Sequence, residues 1–388
     1  MQWRTERLED VTQVLGGGTP SRAEESYFGG EIAWATPTDV TALDGLYISK
    51  TKETITDAGL RNSSTKLMPA GAVLLTSRAT IGFTAVSTQP ICTNQGFVNF
   101  ICSADLVPEY LAYWLRTQKN KLIQHAGGTT FKEIARGTIR KFEISFPAVE
   151  EQRRIVDLLQ RAEGIVRLRR EAEQKAAELI PALFLDMFGD PATNPKGWRQ
   201  ASLGELCNRI TDGTHQPPKF LESGIPFIFV ANIVKGSLSL ETTKFISEET
   251  YAELTRRCPV EIGDVLYSTV GSYGVPVKVD TEERFTFQRH IAHLKLNNER
   301  LLPDFLVGML STPSMKAQAD AAARGIAQKT INLGEIKKFN VIAPPIPEQQ
   351  AFARHVASVK AIRDQQLSAS IKAAENFDAL LSGVFQAR

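Results

Sequence analysis

Arg78 stands in the run Thr76-Ser77-Arg78-Ala79-Thr80, between a β-rich stretch and Gly82. A guanidinium on a turn is a planar fork that suits guanine O6 and N7, or a phosphate. Thr93-Asn94-Gln95 adds amides, the groups that match an adenine edge. Thr129-Thr130-Phe131-Lys132, with Arg136 close by, adds hydroxyls and cations. The second half of the chain offers a comparable set: Ser268-Thr269 through Ser272-Tyr273, Gln288-Arg289-His290, and Arg324 with Gln328-Lys329-Thr330. The candidate contacts are therefore Ser77, Arg78, Thr80, Asn94, Gln95, Thr129, Thr130, Lys132 and Arg136 in the first half. In the second they are Thr269, Ser272, Tyr273, Gln288, Arg289, His290, Arg324, Gln328 and Lys329. Such groups grip phosphates and read base edges. Arg78 is the leading base-contact candidate, and Lys132 and Lys329 read as phosphate anchors. Gln95 and Gln288 read as the same residue at the same place, either structural or facing something common to both halves. Each of these side chains could instead cap a turn or stand in solvent.

Bond-breaking chemistry has no comparable signature. There is no GxxxxGK[ST] phosphate loop. There is no Asn/Asp-Pro-Pro-aromatic tetrapeptide; Asp190-Pro191-Ala192 and Asn194-Pro195-Lys196 read as linker. Gly16–Thr19 and Gly127–Thr130 read as turns. His290 and His293 lack a third ligand at a metal-binding spacing, so they read as core or surface histidines. Cys92, Cys102, Cys207 and Cys258 form no CxxC pair and read as buried free thiols. With 388 residues, 43% hydrophobic and 23% charged, the chain has room for two or three globular domains. The net charge of +2 neither announces nor excludes a nucleic-acid partner, because a basic face and an acidic face cancel in the sum. No apolar run reaches the roughly 18 residues of a membrane span. The opening MQWRTERLED lacks the apolar core of a signal peptide, so a cytoplasmic location is expected.

The elements that must position these residues occur twice. KFEISFPAVEEQ from Lys141 returns as KFNVIAPPIPEQ from Lys338, 197 positions on. Trp3-Arg4 matches Trp198-Arg199, Leu8 matches Leu203, and Gly18-Thr19 matches Gly213-Thr214. GAVLLTS from Gly71 matches GDVLYST from Gly263, and LVPEYL from Leu106 matches LLPDFL from Leu301. A period this long is domain duplication. Residues 1–146 and 191–343 mix short β-rich runs with turns, and 108–125 and 303–323 read as helices opened by proline. These are α+β globules. Residues 147–190 and 344–388 read as long helical spacers. Apolar or small residues recur at 155, 158, 162, 165, 172, 176, 179 and 183, the alternating steps of a coiled-coil seam. The second copy is weaker, with Gln366 opposite the gap left by Arg169. Pro181 is expected to kink or end the first helix. Two such helices, paired antiparallel and roughly 45–55 Å long, would make a ruler with a reading head at each end and an internal pseudo-two-fold.

The order globule–helix–globule–helix resembles the specificity subunit of type I restriction–modification systems. So do the P-x-x-x-E-Q run at each helix start (from Pro147 and Pro344, ending Glu151-Gln152 and Glu348-Gln349), the G-D/A-V-L-x-T/S strand, and N-P-x-G-W at Asn194–Trp198. The resemblance covers essentially the whole chain. It implies a non-catalytic subunit whose globules are target recognition domains for a bipartite, asymmetric site in double-stranded DNA. It implies helices that hold two methyltransferase subunits, with restriction subunits able to join. S-adenosylmethionine and ATP/Mg would then be used by those partners and no cofactor by this chain. The mixed charge beside the seam, such as Glu163 among Arg161, Arg167, Arg169 and Arg170, would suit that docking. The competing reading is an adaptor with two protein-binding globules on a coiled-coil spacer; a fused enzyme is disfavoured by the missing motifs.

Overall fold

The computed structural model describes residues 3–128, 132–325 and 328–386. The chain divides into two compact units: Met1–Ala172 with Gln366–Arg388, and Glu173–Gln365. These units cut across the four contiguous segments expected from the sequence. Each takes one globule, the start of the helix that follows it, and the end of the other long helix, because each long helix buries its two ends on different partners.

In the first unit, Thr12–Gly16, Phe97–Cys102, Val73–Thr76, Thr84–Ser87 and Tyr47–Ile48 form a five-stranded sheet in that spatial order. Its strands are apolar on both faces because both are covered. Val73, Leu75, Val98 and Phe100 face the helix Pro108–Thr117, through Tyr110, Leu111 and Trp114. Leu74, Ala85 and Phe97 face the opposite way, onto Ala33, Ala35, Ile48 and Ile91. A second sheet places Phe28–Ala35 between Glu53–Ile55, antiparallel, and Ile91–Thr93, parallel.

The second unit repeats the plan. Cys207–Asp212, Ile291–Leu296, Val265–Ser268 and Pro276–Lys278 form the main sheet, and Ile225–Ile228 lies between Phe245–Ile246 and Thr286–Phe287. In both units a two-stranded ribbon joins the globule's first strand to its last: Arg4–Arg7 with Glu143–Phe146, and Gln200–Ser202 with Asn340–Ile342. One β-bulge at Cys207/Arg209 distinguishes the second copy. It inserts one residue and shifts the repeat offset along that strand. Gly16 pairs with Val98 and Asp212 with Ala292, so Gly17, and not Gly18, is the counterpart of Gly213.

The segments expected as single helices are each broken. Pro108–Thr117 and Lys119–Gln124 meet at Gln118, and Pro303–Leu310 and Pro313–Ala322 meet at Ser311-Thr312. Pro313 supplies no N–H and sits at a helix start, which accounts for the second break.

The long helices run Val149–Phe188 and Ile346–Gln386. Pro181 does not end the first one. Phe184 and Phe188 beyond it pack onto Phe305 and Phe352, and burying two aromatic rings outweighs one missing backbone hydrogen bond. The expected narrow seam is met only in part. Ala176 is buried as expected, but Leu158, Ile165 and Leu179 are exposed, as is Ile362 of the second helix, whereas Gln152, Val156 and Leu159 are buried outside the expected seam. The N-terminal turns pack on their own globule as well as on the other helix, so the buried stripe is broader and rotated from the 3-4 seam. Within each unit the two helix segments are antiparallel. Phe385 packs on Tyr110 while Arg169 Nη1 donates to Gln366 Oε1 at 2.8 Å in the first, and Phe184 and Phe188 meet Phe352 in the second. Among the described residues no helix is long and apolar enough to cross a membrane.

Candidate nucleic-acid interface

In each unit one strand ends in a tight loop that gathers the others. In the first, Thr76 N donates to Phe83 O at 2.9 Å and Gly82 N to Thr76 O at 3.0 Å, closing the hairpin around Ser77–Ile81. Thr76 Oγ1 accepts Phe83 N and donates to Thr80 O, which stiffens the tip. Ser77 N then donates to Gly96 O at 2.8 Å, Ala79 N to Lys132 O at 3.1 Å, and Ile134 N to Ser77 O at 3.0 Å. The three expected loops therefore meet.

A fourth loop joins them that the sequence reading took for a mere turn. Gly18 N donates to Thr93 O at 2.9 Å, and Trp34 Nε1 donates to Gly18 O at 3.0 Å. A Cβ on Gly17 would lie 1.8 Å from Asn94 O, so only glycine allows the approach. Thr19 donates to Gln95 Oε1 across this contact. The legible signal was the Gly-Thr pair repeated at Gly18-Thr19 and Gly213-Thr214, although the backbone aligns Gly213 with Gly17.

The second unit builds the same lattice. Ser268 N donates to Val275 O, Gly274 N to Ser268 O, Thr269 N to His290 O, Gly271 N to Lys329 O and Ile331 N to Thr269 O. Ser268 Oγ takes the place of Thr76 Oγ1, accepting Val275 N and donating to Ser272 O. Thr214 N donates to Phe287 O and Arg289 N to Thr214 O, and a Cβ on Gly213 would lie 2.0 Å from Phe287 O.

These bonds fix which residues correspond. Asn94 N donates to Ala35 O and Gln288 N to Ile228 O, while Gly96 O and His290 O accept equivalent bonds. Gln288 is therefore the counterpart of Asn94, and Arg289 that of Gln95. The expected pairing of Gln95 with Gln288 is off by one, because backbone pairing and not side-chain identity sets the equivalence. Arg78 bridges Glu133 and Val270 bridges Thr330 at the same point, so Val270, 8% exposed, stands where Arg78 does. Gly127 corresponds to Arg324, each forming the base of the neighbouring small hairpin.

The side chains divide into three groups. Ser77 and Thr269 are buried, at 2% and 4% exposure, and hold the loops through their backbone; the expectation that their side chains face a ligand is corrected. Thr80, Gln95, Lys132, Arg136, Ser272, Arg289, Arg324, Gln328 and Lys329 are exposed. Arg78, Asn94, Tyr273, Gln288 and His290 are half-buried. Thr129 and Thr130 lie outside the described residues.

Arg78, Asn94, Gln95 and Pro37 line one shallow concavity with Ala79 and Gly96, and Pro37 was not foreseen. Arg78 Nε lies 3.8 Å from Glu133 Oε2, both about half-exposed, which makes the pair a weak, solvent-screened one. Asn94 Oδ1 is engaged by Gly96 N at 2.9 Å. In the second unit Arg324 Nη1 bonds the carbonyls of Ala321 and Ala323 and caps the helix Pro313–Ala322. Tyr273 donates its hydroxyl to Asp320 at 2.7 Å beneath Lys316, 3.9 Å from the ring centroid. Burial, then the Arg289 charge, pushes the His290 imidazole below its ordinary range, so near pH 7 it is a neutral donor–acceptor. The sum is two surfaces of one backbone design that share a lysine at Lys132 and Lys329 and differ in their other cations: Arg78 in the first, Arg289 and Arg324 in the second.

The family profile described as the type I restriction modification DNA specificity domain matches the chain twice, over residues 1–178 and 195–373. The specificity subunit of the type I restriction enzyme MjaIX from Methanocaldococcus jannaschii is 29% identical over 373 residues, spanning 90% of this chain and 85% of that protein. The specificity subunit of EcoKI from Escherichia coli is 20% identical over 333 residues, spanning 79% and 71%. A solved structure described as the basis of complex assembly and conformational transition of the type I R-M system has a TM-score of 0.64 at 21% identity, covering 98% of this chain and 97% of that one. At that identity the likeness speaks for the fold.

Proposed function

From the premise that the chain belongs to the type I restriction modification DNA specificity family, we propose that each unit reads one half of a bipartite, asymmetric DNA site through its four-loop cluster. The chain is a non-catalytic, sequence-recognising subunit that assembles with methyltransferase subunits. In our reading it holds two of them on the long helices, restriction subunits can join, and the complex works in the cytoplasm. S-adenosylmethionine and ATP/Mg chemistry is then carried out by those partners.

One observation carries the half-site assignment. The same hydrogen-bonded loop lattice occurs twice with different groups at matching points, Arg78 against Val270 and Gln95 against Arg289. Two structural spacers would have no reason to hold one lattice and vary its exposed edge, whereas two readers of different sequences require it.

The test is single-molecule sequencing of adenine methylation in cells expressing the methyltransferase with and without this chain. A split motif that appears only with the chain supports the reading. Grafting Arg289→Gln and Val270→Arg into the second unit should change one half of that motif alone. Methylation indifferent to the chain would instead favour a protein-binding adaptor.

A further inference from the structure

In the second unit a thiol, an imidazole and a carboxylate stand in a relay that the reading loops do not use. Cys258 Sγ lies 3.5 Å from His293 Nδ1, and His293 Nε2 lies 2.6 Å from Asp264 Oδ2. An ionised carboxylate only accepts, so in the neutral ring Nε2 carries the proton and Nδ1 offers its lone pair to the thiol. Asp264 is fixed in turn by Glu261 N at 2.8 Å and Lys295 Nζ at 3.2 Å. Burial works against its charge, but His293, the Glu261 N–H and Lys295 together hold its carboxyl below the usual range. His293 is 1% exposed, so water hardly competes for Nδ1.

The fold does not demand this trio. Leu74 pairs with Asn99 and Leu266 with His293, so Asn99 is the counterpart of His293. Ser87 N donates to Ala72 O and Val279 N to Asp264 O, so Ala72 is the counterpart of Asp264. The first unit makes the same sheet with an alanine and an asparagine. A buried carboxylate costs desolvation and adds little stability over a neutral filling. Its presence in one copy only points to chemistry and not to scaffolding.

Cys258 is partly exposed, and with His293 it lines a cleft of about 240 Å³ behind Gly213 and Thr214, walled also by Arg209 and Arg257. That volume admits a small molecule. We propose that Cys258 is a base-activated nucleophile and that this cleft is a modification site for small soft electrophiles. The sulfur attacks the electrophilic carbon, and the S–C bond forms as the bond to the leaving group breaks. The leaving group departs as an anion with the electron pair. The thiol proton passes to His293 Nδ1, and the imidazolium, held by Asp264 as a positioning residue, returns it to water. The charged groups around the sulfur divide evenly. Burial pushes the thiol up, Arg209 and Lys295 pull it down, and Asp264 and Glu261 push it up. The resting group is thus a thiol, and the base is what makes it react.

The experiment is alkylation of the full chain by iodoacetamide, with each cysteine followed by peptide mass spectrometry. At pH 7 Cys258 should react at least about tenfold faster than Cys92, Cys102 and Cys207, since general-base help is worth about that or more. Burial pushes the Cys92 thiol up to about 11 and those of Cys102 and Cys207 up to about 12. His293→Gln should slow Cys258 about tenfold at pH 7 and leave the other three unchanged. Near pH 10, where thiols begin to ionise unaided, the gap should close, which a collapsed cleft would not permit. Asp264→Asn should slow Cys258 in the same direction by less, and it carries the test if His293→Gln exposes all four thiols by unfolding. Cys258 reacting no faster than the others, or at an unchanged rate without His293 at pH 7, overturns the proposal.

Discussion

Gln152 and Gln349 show how much one amide can fix. Gln152 Oε1 accepts Val107 N at 2.8 Å, and its Nε2 donates to Asp105 O and Pro147 O at 2.8 and 2.9 Å. Gln349 makes the same three bonds, to Leu302 N, Arg300 O and Pro344 O. Both are fully buried, which explains the glutamine in the repeated P-x-x-x-E-Q run. Each pins a long helix to the loop that opens its globule's packing helix. Gln152→Leu would strand one donor and two acceptors, and a loss of about 2–3 kcal/mol is expected in urea unfolding. Among the exposed side chains, Arg78 and Lys132 should separate by behaviour. Arg78→Ala should relax one base pair of the first half-site by about 1–3 kcal/mol of discrimination, while Lys132→Ala weakens all duplexes alike. Competition binding against single-base variants checks both, and equal weakening of every sequence by both changes would remove the distinction.

The long helices are latched to the globules by charge, and the two latches have opposite sign. In the first unit the helix supplies the acid: Glu163 accepts Arg116 Nη1 and the Tyr113 hydroxyl, each at 2.7 Å. Burial and Glu163 push the Tyr113 phenol well above its ordinary range, so it stays a donor. In the second unit the globule supplies the acid: Asp304 pairs with Lys278 at 2.7 Å and with Lys360 at 3.8 Å. Lys360 occupies the repeat position of Glu163, 197 residues on. A homologous globule seated on the wrong helix would therefore meet a like charge, which favours the cognate pairing. Glu163→Lys should cost about 1–2 kcal/mol, discounted because the pair is one-fifth exposed. That is a fall of a few degrees in Tm for a unit of this size, partly restored by Arg116→Glu in the same chain. A Tm unchanged by the single substitution would deny the latch. The apolar stripe also belongs at this scale: Leu158, Ile165 and Leu179 fit a 3-4 seam in the sequence, yet the globules claim a different face.

At the scale of the whole molecule the net charge of +2 conceals the basic loops. If Arg78, Lys132, Arg136, Arg289, Arg324 and Lys329 all meet phosphates or bases near them, the log–log salt slope of duplex binding should be roughly −5, and each lysine removed should lower its magnitude by about one. A flat salt dependence would exclude a phosphate-tracking surface. The sequence by itself determined the duplication, the order of globule and helix, and the loops that carry cations, because strand pattern, proline placement and period are local or repetitive signals. It could not decide which residues correspond at the loop tips, since a single bulge at Cys207/Arg209 and one-residue loop differences shift the count while the backbone bonds keep their own. Nor could it show that Ser77 and Thr269 turn inward, that Gly17 and Gly213 bring a fourth loop to the site, or that Cys258, His293 and Asp264 meet from separate strands and loops. Those are contacts between residues distant in the chain, and only packing brings them together.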